Sequence, residues 1–211
     1  DEIAYSSHQR ALSASENGHL DNQILEITET LDKDEGVRPE TTKEILSQLD
    51  PAFKPDGVIT AGNSSQISDG AAALLVVSED VINKYNLEPI VKINSMSVVG
   101  TDPVLMLSGP IPATNKALEH AKLKPKDINL VEVNEAFSSV VGAWRKEFPE
   151  IDYENVNANG GSIAIGHPLG ATGARLMTNL IHEMKRNKLK YGLQAICEGG
   201  GTANATIVEL V

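Results

Sequence analysis

The chain has 211 residues, with 18 Lys and Arg against 29 Asp and Glu, a formal charge of −11, and 41% hydrophobic residues. That length supports one large domain or two modest ones with a buried core. The acidic balance argues against phosphate backbones or anionic membrane surfaces as partners, and no apolar run reaches the ~18 residues that span a bilayer. A single cysteine rules out an internal disulfide framework and a multi-Cys zinc site, but not a catalytic thiol. The composition is that of a globular protein expected in the cytoplasm, with an organelle left open.

In chain order, residues 1–18 read as an amphipathic helix, with Ile3, Ala4, Ser7, Ala11 and Ala14 on one face and Gly18 placed to stop it. Asp1 has no initiator Met before it and the stretch has no apolar signal-peptide segment, so a fragment or processed form is expected. Residues 23–28 read as extended and 32–39 as loop. Thr41 or Thr42 caps a short helix whose stripe is Ile45, Leu46 and Leu49, closed before Pro51. Residues 57–68, rich in Gly, Ser and Asn, read as loop. The unbroken apolar run 71–77 reads as a strand buried on both faces. Helix follows over 79–86, then a strand over 90–99 with Ile93, Met96 and Val98 expected inside. Helices over 114–122, 136–148 and 169–187 alternate with a buried strand over 128–133, and two strands over 193–197 and 203–210, expected to be antiparallel neighbours, close the chain. The pattern predicts an α/β layered fold.

Three loops are dense in residues that carry chemistry. At Val131-Glu-Val-Asn-Glu-Ala-Phe137 a buried strand delivers Asn134 and Glu135 to a helix start; a helix cap with a favourable dipole contact is the plain alternative. The glycine-dense stretch 157–175 lets backbone approach a ligand closely. In it His167 lies between Gly166 and Pro168, with Pro168 suited to the first turn of the next helix. A structural histidine is one alternative, and a phosphate loop a weaker one because no GxxxxGK[ST] pattern is present. At Cys197-Glu-Gly-Gly-Gly201 the glycines expose N–H groups suited to an oxyanion, while Cys197 alone could be a small buried hydrophobe. Cys197 and His167 together suggest Cys/His acyl transfer with Cys197 as nucleophile.

NEAF at 134–137, GHPLGATGAR at 166–175 and CEGGG at 197–201, with DEGVR, PAF, TAGNSS and DGAAALLVVSE upstream, resemble the thiolase family in order and spacing over essentially the whole chain. Related ketoacyl synthases carry His or Asn where Cys197 stands. The resemblance implies a layered thiolase-like α/β fold: a remnant of the CoA-covering loop domain over 1–66, the last strand and helix of an N-terminal domain over 67–89, and a C-terminal α-β-α domain with a mixed sheet over 90–211. It makes His167 the base that activates a nucleophilic cysteine and Cys197 the second cysteine, which exchanges a proton with CoA or with the acetyl α-carbon. Asn134 becomes the amide that holds a water in one oxyanion hole, and Gly199 a backbone donor to another. Ser65, Phe53, Ala61 and Arg38 match positions that contact the pantetheine or nucleotide part of CoA. CoA is then a substrate, with no cofactor and no metal. His8, His19, His120 and His182 receive no role, and Trp144 and Phe148 read as core or interface.

The implied reaction is thiolysis of 3-ketoacyl-CoA or the reverse Claisen condensation. One departure is large: the family's nucleophilic cysteine lies in the first half of the protein, and Cys197 is the only cysteine of this sequence. The expected partners are therefore acyl-CoA thioesters, a missing N-terminal thiolase segment and further copies in a homodimer or homotetramer, with no nucleic acid and no membrane. The alternative is a non-catalytic CoA-binding or structural subunit of a split thiolase. The turn CEGGGTANA resembles thiolases acting on bulkier acyl-CoAs of lipid or sterol degradation.

Overall fold

The computed structural model describes residues 1–28 and 31–211. Its helices are α1 Glu2–Glu16, α2 Lys43–Ser47, α3 Glu79–Tyr85, α4 Pro110–Ala121, α5 Ser138–Glu147, α6 Ser162–Ile165 and α7 Thr172–Asn187. Its strands are β1 Val91–Gly100, β2 Leu130–Val133, β3 Tyr191–Cys197 and β4 Thr202–Leu210. They form one mixed sheet in the order β1-β4-β3-β2, with β4 antiparallel to both neighbours and β2 parallel to β3. The expected antiparallel closing pair is therefore present. No helix among the described residues is long and apolar enough to cross a membrane.

The sheet is covered on both faces, which makes the layered α/β architecture. Val131, Val133, Leu193, Ala195, Ala205 and Ile207 face Ala113, Ala117 and Leu118 of α4 and Val141 and Trp144 of α5. Leu130 and Val208 point the other way, against Leu180, Ile181 and Met184 of α7. β2 is buried along its whole length, as a strand between two helical layers must be. Trp144 ties the first layer together: it is fully buried, lies tilted against Phe148 at 4.8 Å, and donates its indole N–H to Thr114 Oγ1 at 3.0 Å.

β1 departs from expectation in an instructive way. A bulge between Ile93 and Ser95 shifts the register, so Ile93, Met96 and Val98 do share a face, opposite Val208, Thr206 and Asn204. That face is the open one: Met96 and Val98 are 62% and 65% exposed, because α7 lies over β2 and β3 and stops short of this edge strand. The inward residues are Ser95 and Ser97, whose hydroxyls donate to the carbonyls of Ala117 and Ala113 on α4 at 2.8 and 2.7 Å. Hydroxyls of that size let strand and helix approach closely while remaining hydrogen-bonded.

Residues 71–78 form no ladder, and Leu75 and Val76 are 81% and 71% exposed. The expected two-face burial is therefore absent; this apolar run has the composition of a central strand and no neighbour to pair with among the described residues. Residues 23–28 also stay outside the sheet; a bridge joins Thr28 to Leu31. α4 begins earlier than expected, with Gly109 and Pro110 at its start. α7 begins at Thr172, not 169, and α6 is a short helix that the sequence pattern did not announce.

Replacing Trp144 by Ala is expected to cost about 3–5 kcal/mol in urea denaturation, the usual range for a fully buried tryptophan. Thr114→Val, which strands the indole N–H, should cost about 1–3 kcal/mol. Equal, negligible losses would show that the contact does not hold α4 to α5.

Candidate active site

The site is built where β2 and β3 end. Asn134 N donates to Ala195 O at 3.0 Å, so β2 keeps its pairing one residue past its end. The chain then turns, and α5 starts with Phe137 at its N-cap; Asn134 is therefore not a helix cap. Its side chain is buried. Oδ1 accepts from Ser162 Oγ at 2.6 Å, and Nδ2 has no hydrogen-bond partner. A buried N–H without an acceptor is costly and marks a place where an oxygen can be bound.

Glu135 is buried and accepts from Ser7 Oγ at 2.6 Å, Asn157 Nδ2 at 2.9 Å and Ile163 N at 3.1 Å. Burial pushes its carboxyl up, and the three donors pull it back. Asn157, in the left-handed region at φ 51, also exchanges two hydrogen bonds with the backbone of Val133. Gly161 donates its N–H to Ser7 Oγ at 3.0 Å, and a Cβ there would overlap the Glu135 carboxyl. One carboxyl thus joins α1, the end of β2, and the loop that enters α6. Glu132, earlier on β2 and also buried, is pushed well up by burial and then by the charge of Glu135.

His167 follows α6 after Gly166, which adopts φ 89 and leaves room for the Ser68 side chain that a Cβ would strike. The His167 N–H donates to Gln66 O at 2.9 Å. Its ring Nδ1 lies 2.7 Å from Thr172 Oγ1, which itself donates to Pro168 O at 3.2 Å. A threonine hydroxyl has one proton: placed on Pro168 O it leaves the hydroxyl to accept from Nδ1–H, with the free lone pair on Nε2, and placed on Nδ1 it gives the opposite tautomer. Burial lowers the ring's proton affinity. Pro168 does not open α7 but a preceding turn, accepting from the N–H groups of Ala171 and Thr172. Ser68, Asp69, Ala71, His167 and Leu169 line an open groove of about 470 Å³.

Cys197 closes β3, paired with Ala203, and is 7% exposed. Burial pushes its thiol up and the neighbouring Glu198 adds to this, while the Asn134 side chain pulls the other way. The turn beyond it needs glycine at Gly200 and Gly201, at φ 76 and 86, and Gly201 packs against the backbone of Thr101 and Asp102. Gly199 is exposed with open space around it.

Residues 64–67 run between the loops and stitch them together. Ser65 N donates to Ala136 O, a bridge joins Ser64 to Phe137, and a second joins Ile67 to His167. Phe53 stands edge-on to Phe137 at 5.7 Å. Arg38 and Ala61 line a separate groove of about 250 Å³ with His8, Gln66 and Ile163. The structure thus brings Asn134 beside Cys197, puts Ser65 and Phe53 next to Ala136–Phe137, and gathers Arg38 and Ala61 in a groove with the strap residues Ser64 and Gln66. Ser162, Thr172 and Asn157 were not singled out as site residues from sequence, and Glu135 was named there only beside Asn134 at the helix start; the only signal for Ser7 was a polar residue on the apolar face of α1. Among the described residues no cluster of three or more His, Cys, Asp or Glu could hold a metal ion.

His8, given no role from the sequence, is buried on α1 and accepts the N–H of Arg38 at 3.2 Å through Nδ1. Burial, then the Arg38 charge, lowers its pKa to about 4. The unfolded histidine, near 6.5, takes up a proton first as pH falls, so His8 contributes fully above pH 6.5 and its contribution is lost towards pH 4. The stability gap between wild type and His8→Gln should therefore narrow by on the order of 2–3 kcal/mol between pH 7 and pH 4.5. A pH-independent gap would contradict the buried neutral ring.

Comparison with known proteins gives the same outline. Residues 87–210 match the family described as thiolase, C-terminal domain, and residues 1–80 match thiolase, N-terminal domain. A steroid 3-ketoacyl-CoA thiolase of Mycobacterium tuberculosis is 49% identical over 206 residues, which cover 96% of this chain and 50% of that protein. The crystal structure of a Bacillus anthracis acetyl-CoA acetyltransferase superposes with a TM-score of 0.94 at 41% identity, over 100% of this chain and 55% of that one. Human mitochondrial 3-ketoacyl-CoA thiolase, in complex with CoA, gives 0.91 at 38% identity, over 100% and 54%. The chain spans about half the length of the relatives it matches.

Proposed function

Because the chain belongs to the thiolase family, we propose that it supplies the acid–base half of a thiolase site, for thiolysis of 3-ketoacyl-CoA or the reverse condensation of acyl-CoAs. The observation that carries this reading is the state of Cys197. A nucleophilic cysteine needs its thiolate stabilised, whereas this thiol is buried and pushed up, which suits a proton donor. Beside it stands the unpaired Asn134 N–H, and with the Thr172 proton on Pro168 O, His167 Nε2 is free to accept a proton.

In thiolysis, His167 takes the proton of a nucleophilic thiol, which attacks the 3-keto carbon and forms a carbon–sulfur bond. The oxyanion that develops needs preorganised donors. Collapse breaks the bond between C2 and C3, and the departing acetyl-CoA enolate takes the Cys197 proton at carbon. The Cys197 thiolate then deprotonates incoming CoA, whose sulfur attacks the acyl-enzyme carbonyl; the enzyme's carbon–sulfur bond breaks, releasing the shortened acyl-CoA, and the expelled thiolate takes back the proton held by His167. Asn134, through a water, and the Gly199 N–H stabilise the oxygen anions. Ser65, Phe53, Ala61 and Arg38 contact CoA.

The nucleophilic thiol comes from thiolase polypeptide outside these 211 residues, since Cys197 is the only cysteine among them. The open faces around Leu75, Val76, Met96, Val98 and Val104 are the surfaces on which such a segment docks, and the working assembly is a homodimer or homotetramer. The single cysteine also favours a second reading, a non-catalytic CoA-binding or structural subunit of a split thiolase.

Acetoacetyl-CoA cleavage by CoA separates the readings when assayed on the chain alone, with an added thiolase N-terminal segment, and within a full-length thiolase parent. Activity is expected only where the second thiol is present. In that assembly His167→Ala should abolish acylation by acetyl-CoA. Cys197→Ala should leave a stable acyl-enzyme in the mass spectrum and lower turnover roughly 10²–10⁴-fold. No activity in any assembly would favour the non-catalytic subunit. Turnover by the 211-residue chain alone would return Cys197 to the role of nucleophile.

A further inference from the structure

A side-chain amide presents oxygen on one side and NH₂ on the other in nearly the same shape, so its usefulness to a site depends on which way round it is held. Asn134 is buried and has one side-chain hydrogen-bond partner, Ser162, whose Oγ lies 2.6 Å from Oδ1. Ser162 is fully buried at the start of α6, and its hydroxyl has no other acceptor among the described hydrogen bonds. Turning the amide over would oblige Ser162 to accept, leaving its own proton unmet in a site without solvent. The backbone on either side of Ser162 is also tied, Gly161 N to Ser7 Oγ and Ile163 N to Glu135 Oε2, so the hydroxyl cannot drift to follow a reversed amide. With Oδ1 claimed, Nδ2 has no hydrogen-bond partner among the described residues, and the Asn134 side chain acts on the neighbouring Cys197 thiol, pulling it down against burial.

We propose that Ser162 is a positioning residue for the reaction: by donating to Asn134 Oδ1 it fixes the amide so that Nδ2 faces the Cys197 thiol and the oxygen that develops charge beside it. This rests on the role given to Asn134 above, but the orientation itself can be read without turnover. Because the chain has one cysteine, alkylation by iodoacetamide reports on Cys197 alone. An N–H aimed at the sulfur stabilises its thiolate. The charged neighbour of the thiol, Glu198, is held by Thr202 Oγ1 and Asn204 Nδ2 and makes no contact with Ser162 among the described hydrogen bonds.

The test is the alkylation rate against pH for the 211-residue chain, its Asn134→Ala and Ser162→Ala variants, and the conservative Ser162→Thr, with circular dichroism on each. Asn134→Ala and Ser162→Ala should both slow alkylation at neutral pH, by roughly three- to tenfold, as the midpoint moves up by half to one pH unit. Ser162→Thr should stay within about twofold of wild type. A profile unchanged by Ser162→Ala while Asn134→Ala shifts it would overturn the proposal, as would profiles unchanged by both. Should Ser162→Ala unfold, nuclear Overhauser contacts in the labelled wild-type chain decide. Asn134 Nδ2 protons near the Cys197 Hβ protons uphold the orientation, and Nδ2 protons near the Ser162 Hβ protons refute it. Neither outcome depends on whether an assembled thiolase turns over.

Discussion

The Glu135 carboxyl is the constraint on which the site depends. It accepts a hydroxyl from α1 and, from the distant loop that leads into α6, the Asn157 amide and the Ile163 backbone N–H. A buried carboxyl left without partners is costly, and these three hydrogen bonds offset much of that cost. The arrangement also dictates sequence: Gly161 because no Cβ fits against the carboxyl, and Ser7 because α1 must donate where an apolar stripe would otherwise continue.

Around that knot the site is tuned by burial and hydroxyl groups, with little help from charge. Burial lowers His167 and raises Cys197, which brings a base and an acid into the states that proton exchange at neutral pH requires. Two hydroxyls set direction: Thr172 presents Nε2 of the histidine by occupying Nδ1, and Ser162 presents Nδ2 of the asparagine by occupying Oδ1. The strap at residues 64–67 then couples the two loops.

Much of the fold was legible from periodicity. α1, α5, α7 and the closing strand pair follow from apolar spacing, and the thiolase likeness was visible in NEAF, GHPLGATGAR and CEGGG. The failures have physical causes. Ile93, Met96 and Val98 do share a face, but periodicity cannot say which face a helix covers, and here α4 takes the serine side. Residues 71–77 have the composition of a central strand, yet a strand exists only with a partner, and none of the described strands pairs with it. The supporting shell was hidden because Ser162, Thr172 and Asn157 acquire meaning only through partners brought close by folding; Ser162 meets an asparagine 28 positions away.

The central claim, that Glu135 holds the histidine loop and the asparagine turn as one rigid unit, is tested most directly by amide hydrogen exchange of wild type and Glu135→Leu. Leucine keeps the volume and leaves the Ser7, Asn157 and Ile163 donors without an acceptor. Protection of the amides over residues 157–167 should fall by roughly 10–100-fold, as expected for losing three buried hydrogen bonds, while β3 and β4 keep theirs. Equal protection of that loop in both proteins would contradict the account.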